Sequence, residues 1–150
     1  TENPKLQKIL ELQRLRLPNV VGELVNGRKE THWCWYFLPN VHGLGTSPQS
    51  QEFAVTPKEF VEFMKNSEYY GIIVLMVLLI ARALEQADKD ILYVLGDNPI
   101  DVLKWNSFQT LLLLSSYHGR ISLPNDVLSI IRYCERCAHT ARSVIGDFVK

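Results

Sequence analysis

Cysteine is scarce in this chain: three residues, an odd number, cannot build a disulfide framework and fit a reducing, cytoplasmic setting. Neither sign of charge dominates, because 16 lysines and arginines face 16 aspartates and glutamates. That balance removes the basic field on which binding to a nucleic-acid polymer usually depends. A long apolar run is missing as well. Ile72–Ala81 reaches about half of the roughly 20 residues that cross a bilayer, and Arg82 ends it, which predicts a buried helix and no membrane partner. Thr1–Leu12 alternates charge with leucine and lacks an apolar h-region, so a signal peptide is not expected there. No internal repeat, low-complexity tract or long linker breaks the chain. What remains is 150 residues with a hydrophobic share of 47%, expected to fold as one soluble domain over 1–150. A domain of that size buries roughly 70% of the surface its unfolded chain exposes.

The local punctuation predicts an all-α, compact helical bundle. Leu6, Ile9, Leu10 and Leu12 mark a first amphipathic helix, interrupted at Pro18–Asn19. Val20, Val21 and Leu24 form a short second stripe stopped by Asn26–Gly27. Thr31–Leu38 is rich in aromatics and reads equally as strand or helix, so one short extended segment near residue 35 is allowed. Ser47 before Pro48 caps a brief helix through Phe53, and Thr56–Pro57 opens another. A long helix is expected over about Tyr69–Ala87, a short one over Ile91–Leu95, and a further one from Asn98–Pro99 to His118–Gly119. Pro124–Asn125 should open the last helix, with Val127, Ile130, Ile131, Cys134, Ala138 and Ala141 on one face.

Chemistry-bearing residues concentrate in two places. Within Gly27–Trp35, Arg28 and Lys29 suit a phosphate or carboxylate, while Trp33 and Trp35 suit stacking on a planar group. His32 is the side chain best placed to move a proton near neutral pH. The bland alternative is a pair of core tryptophans, solvated cations, and a histidine bonded to a nearby carbonyl. In Gly43–Leu44–Gly45–Thr46–Ser47, Gly43 and Gly45 permit backbone amides to approach an anion, with Ser47 at a helix start. An ordinary turn explains the same residues. The loop is neither a Walker sequence nor a dinucleotide fingerprint.

The second cluster is Asp97, Asp101, Lys104 and Ser107. Helical spacing puts Asp101 beside Lys104 and Lys104 beside Ser107. An internal ion pair is the simple reading. If this face met Lys29 and His32, Asp101 would serve as acid or base, and Lys104 with Ser107 would contact the ligand. Cys134-x-x-Cys137 with His139 suggests a metal, but a zinc site usually needs four ligands, and Cys34 is the one remaining cysteine. Core packing is preferred for it, so neither metal nor cofactor is expected.

The runs Gly27–Arg28–Lys29, His32–Trp33–Cys34–Trp35–Tyr36–Phe37–Leu38–Pro39 and Gly43–Leu44–Gly45–Thr46–Ser47 resemble a bacterial domain-of-unknown-function family, number 1810. That family typically reads Gly-Arg-Lys-x-x-His-Trp-Met-Trp-Phe-x-Phe-Pro-Gln, then Gly-Leu-Gly-x-Ser. Leu95–Gly96–Asp97, Leu103–Lys104, Ser107 and Thr110–Leu111 resemble its later signature, so the likeness covers Val20 to Leu113. Cys34, Asn40 and Thr46 stand where methionine, glutamine and arginine are common, and the tail after Ser115 departs from the usual ending. The resemblance implies a compact helical domain in which the two clusters occur as a unit. It brings no reaction with it.

Three functions follow as expectations. The first is a pocket protein binding a small phosphorylated or nucleotide-like ligand of ADP-ribose type, as sensor or sequestering protein. In it Arg28, Lys29, Lys104 and Ser107 meet the anion, Trp33 or Trp35 stacks, and Gly43, Gly45 and Ser47 line the approach. The second is a hydrolase cleaving an N-glycosidic bond of such a ligand, with His32 or Asp101 as the acid or base. The third is a protein–protein interaction module anchored on tryptophan. A homo-oligomer is compatible with each.

Overall fold

The computed structural model describes residues 3–149, and among them helices follow one another without a strand. Helix α1 (Pro4–Val25) starts at Asn3, whose side chain accepts from the Leu6 amide. It buries Leu6, Ile9, Leu10, Val20 and Leu24 against the long central helix α5 (Ser67–Ala87). Pro18 does not divide α1 as its sequence suggests. The ring is on the exposed side, so water can satisfy the carbonyl that loses its amide partner, and burial on both sides of it holds the helix continuous.

Helix α2 (Cys34–Phe37) is a single turn, which resolves the aromatic segment as helical. Helices α3 (Pro48–Phe53) and α4 (Pro57–Met64) begin where Ser47 and Thr56 accept from the Ser50 and Glu59 amides. Ile72, Ile73, Met76, Val77 and Ile80 of α5 make the middle of the core, with α1, α2, α4, α6 (Ile91–Val94) and α8 (Asn125–Leu128) packed around it. Among the described residues, α5 is the one helix long and apolar enough to cross a membrane by length and composition. Helix α6 (Ile91–Val94) leads through Gly96 into α7 (Pro99–Tyr117), capped by Asn98. One isolated parallel bridge, Val41 to Val55, ties down the loop between α2 and α3.

The end of the chain corrects an expectation. In place of one helix from Pro124 there is a four-residue α8 (Asn125–Leu128), a 3-10 turn (Glu135–Cys137) and a separate α9 (Ala138–Phe148). Two side chains of α7 capture the backbone amides between them. Gln109 Oε1 accepts from Arg132 N at 3.1 Å, and Thr110 Oγ1 accepts from Cys134 N at 3.2 Å. Cys134 and Cys137 therefore flank a turn rather than share a helical face. All three cysteines are unpaired, and no His/Cys/Asp/Glu cluster suited to a metal occurs among the described residues.

Candidate functional site

The two clusters meet because the segment after α1 docks on the end of α6. Lys29 N donates to the Val94 carbonyl at 2.7 Å. The Lys29 carbonyl in turn lies where a Cβ on Gly96 would come within 2.9 Å of it, and Gly96 has φ +81°. Glycine is therefore required twice there, for its left-handed backbone and for the close approach. On the outer side of the same seam Arg28 Nη2 reaches Asp97 Oδ2 at 2.6 Å, and its guanidinium lies 4.5 Å from the Tyr93 ring centre. That pairing occupies Arg28 outside the cavity described next.

Glu23, in the last turn of α1, braces the segment from beneath. Its carboxylate accepts from Glu30 N (2.7 Å), Thr31 N (2.9 Å), Thr31 Oγ1 (2.6 Å) and Trp33 Nε1 (3.1 Å). Burial by itself would raise the pKa, but the donors from Thr31, Glu30 and Trp33 outweigh it and hold the carboxyl at about 2. Trp33 is fully buried and meets Phe37 edge-on at 5.8 Å, which makes it mainly a core residue. Glu23 was not legible as part of the site, although a charged residue between Val20 and Leu24 on a buried stripe was the signal.

With this brace in place, Lys29, His32, Trp33, Cys34, Trp35, Gly45, Thr46, Ser47, Asn98, Asp101 and Lys104 line one cavity of about 550 Å³. Lys29 and Asp101 are 5% and 4% exposed and lie 2.9 Å apart, Nζ to Oδ2. The contact is an ion pair without hydrogen-bond alignment, since Oδ2 has no hydrogen-bond partner. Lys104 Nζ sits 3.8 Å from Asp101 Oδ1 and 4.9 Å from the centre of the Trp35 ring. The helical spacing of Asp101 and Lys104 thus brings them near, but Lys29 is the closer partner. Cys34 keeps its proton: burial, then the neighbouring Asp101 carboxylate, push its pKa upward.

His32 is exposed at the edge of the cavity, 6.2 Å from Trp35 between ring centres, and makes no hydrogen bond among the described residues. Gly45 lies against Ser50, where a Cβ would come within 2.4 Å of the Ser50 Cβ, so the loop closes on α3 only with glycine. Ser47 donates to Ser50 Oγ at 2.8 Å while capping α3. Gly43 stands outside the lining, beside His139, whose Nε2 is 2.6 Å from the His42 carbonyl oxygen.

Ser107 belongs to an adjoining chamber of about 310 Å³. Trp35, Leu44, Gly45, Ser50, Ile100, Leu103 and Lys104 are common to both linings. Of the residues read from sequence, the structure therefore gathers Lys29, His32, Trp33, Trp35, Gly45, Ser47, Asp101 and Lys104, with Ser107 next door. Arg28 and Gly43 lie outside both linings. Leu44, Ile100 and Leu103 were not anticipated; for Ile100 and Leu103, apolar residues recurring on every side of α7 were the signal.

No curated protein matches the chain. Among solved structures, the crystal structure of the conserved hypothetical protein Rv1873 from Mycobacterium tuberculosis is similar, with a TM-score of 0.65 at 20% identity over 95% of this chain and 86% of that one. At that identity the likeness concerns the fold. The family model described as protein of unknown function DUF1810 matches residues 3–143, across both clusters and the helices that join them, and the chain belongs to that family.

Proposed function

We propose that this protein binds a small phosphorylated, nucleotide-like ligand in the cavity between α2, the loop 41–47 and the start of α7, acting as a sensor or sequestering protein. The convergence of Lys29, Asp101 and Lys104 carries this reading. Two ammonium groups against one carboxylate leave a net positive charge where water is largely excluded, which favours an anion more than a solvated lysine would. The three do different work. Lys29 is committed to Asp101, and the pair anchors the floor. Lys104 is held at the longer distance, with 17% of its side chain exposed, and is the donor free to take a phosphate oxygen. The first turn of α7 adds the positive end of its dipole, though Asn98 already accepts from the Ile100 and Asp101 amides. Trp35 supplies a planar wall for the rest of the ligand.

Calorimetry with inorganic phosphate, pyrophosphate, ADP and ADP-ribose tests the proposal. At least one should bind, and Lys104→Ala should weaken it about tenfold or more, the equivalent of about 1.4 kcal/mol. No heat with any of them, in a folded sample, overturns it.

One observation favours hydrolysis as a second reading: His32 is a titratable, exposed group on the cavity wall. It would protonate the departing adenine of such a ligand while water takes the base's place at the ribose carbon. Asp101, 2.9 Å from Lys29 Nζ and 3.8 Å from Lys104 Nζ, would steady developing positive charge. Chromatography of NAD or ADP-ribose after long incubation decides this; unchanged ligand excludes it, and product lost in His32→Ala supports it. The three unpaired cysteines suit a reducing, cytoplasmic setting for either role.

A further inference from the structure

We infer that the ligand carries an apolar group beside its anionic head, and that the 310 Å³ chamber is the seat of that group. The inference rests on the phosphate-binding reading and adds a second half to the ligand. Leu38, Val41, Leu44, Phe53, Ile100 and Leu103 supply most of its wall. Its polar groups are partly engaged with the protein, although Asn40 Oδ1 is buried without a hydrogen-bond partner. Asn40 donates to the Leu38 and Lys104 carbonyls at 2.7 and 3.3 Å, and Ser107 Oγ is 3.5 Å from Cys137 Sγ. Arg136 is an exposed cation on the lining. Such a wall attracts by exclusion of water and by dispersion more than by hydrogen bonding.

Continuity with the cationic cavity identifies the occupant. Lys104 lines both spaces, and its ammonium lies on the Asp101 side. An anion held by that ammonium would therefore bring whatever it carries directly into the apolar chamber. Three of the shared residues, Leu44, Ile100 and Leu103, are 40%, 63% and 59% exposed, an apolar lip left facing solvent until something covers it. The chamber is at the lower end of the roughly 300–1,000 Å³ span of small-molecule pockets. It suits one ring system or a short branched chain.

Titrations with inorganic pyrophosphate, ADP and isopentenyl pyrophosphate test the inference, the latter two separating a planar from an aliphatic group. At least one of them should bind about tenfold tighter than pyrophosphate. Ser107→Leu, which fills the chamber and leaves Lys29, Asp101 and Lys104 unchanged, should remove that advantage while pyrophosphate binding stays within about twofold. Leu103→Ser, at an exposed position where folding is not at stake, should reduce it in the same direction. If pyrophosphate binds and neither substituted compound binds more tightly, or if the advantage survives both variants, the apolar subsite is refuted and the phosphate reading stands. If none of the three compounds binds, this inference fails, and the phosphate reading fails with it when inorganic phosphate and ADP-ribose also give no heat.

Discussion

Lys29 and Asp101 show how a residue pair can shape a site without strengthening the fold. Removing two charges from water costs several kcal/mol, and their attraction at 2.9 Å offsets that cost rather than exceeding it. Losing Lys29 leaves Asp101 buried with only the more distant Lys104 ammonium, at 3.8 Å, to offset its charge. Lys29→Met should therefore lower stability by about 3–5 kcal/mol, whereas Lys29→Met with Asp101→Leu should recover most of the loss; urea unfolding of the three proteins measures it. A double variant no more stable than the single one would show that the charges are not coupled.

Glu23 makes a pH prediction at the same scale. Its folded pKa of about 2 lies below the ordinary 4.5, so its contribution is present above pH 4.5 and fades as pH falls through about 2. Glu23→Gln should cost on the order of 1–2 kcal/mol at neutral pH, after discount for screening by solvent, and little near pH 2. Stability curves that differ equally at both pH values would contradict this. Neither residue's partner was legible in the sequence, because Lys29 finds Asp101 and Glu23 finds Trp33 only after three helices have packed.

Helix starts were readable because their causes are local. Ser47, Thr56 and Asn98 each cap an amide within three residues of themselves. The break after Leu128 was not readable, because its cause is Gln109 and Thr110 on another helix. Pro18 misled for a related reason: a local break signal was overridden by burial on both sides of it. Pro18→Ala should restore the missing hydrogen bond and raise stability by about 1 kcal/mol in thermal unfolding, without altering ligand binding. The loop over the site depends on α9 through His139. His139→Ala should speed amide exchange in residues 42–45 while leaving α5 protected; unchanged exchange in the loop would remove His139 as its latch.

At the scale of the whole molecule, the all-helical class and the existence of two clusters were visible in residue order, and the resemblance to a family joined them as a unit. Their meeting was not visible, since it depends on the Lys29 amide docking on Val94 and on Gly96 allowing the approach. Arg28, read as a ligand contact, serves instead in the seam that holds the halves together. The adjoining apolar chamber draws on α2, α3, α7 and the turn before α9, so no single stretch of sequence announced it. The central claim is that the assembled cavity takes an anion through Lys104. Calorimetric titration of pyrophosphate and ADP-ribose into the native protein and into Lys104→Ala measures this directly. Saturable binding by the native protein and about tenfold or greater weakening in the variant, with both proteins equally folded, is the expected result. Binding of equal strength in the two, or none in the native protein, would contradict it.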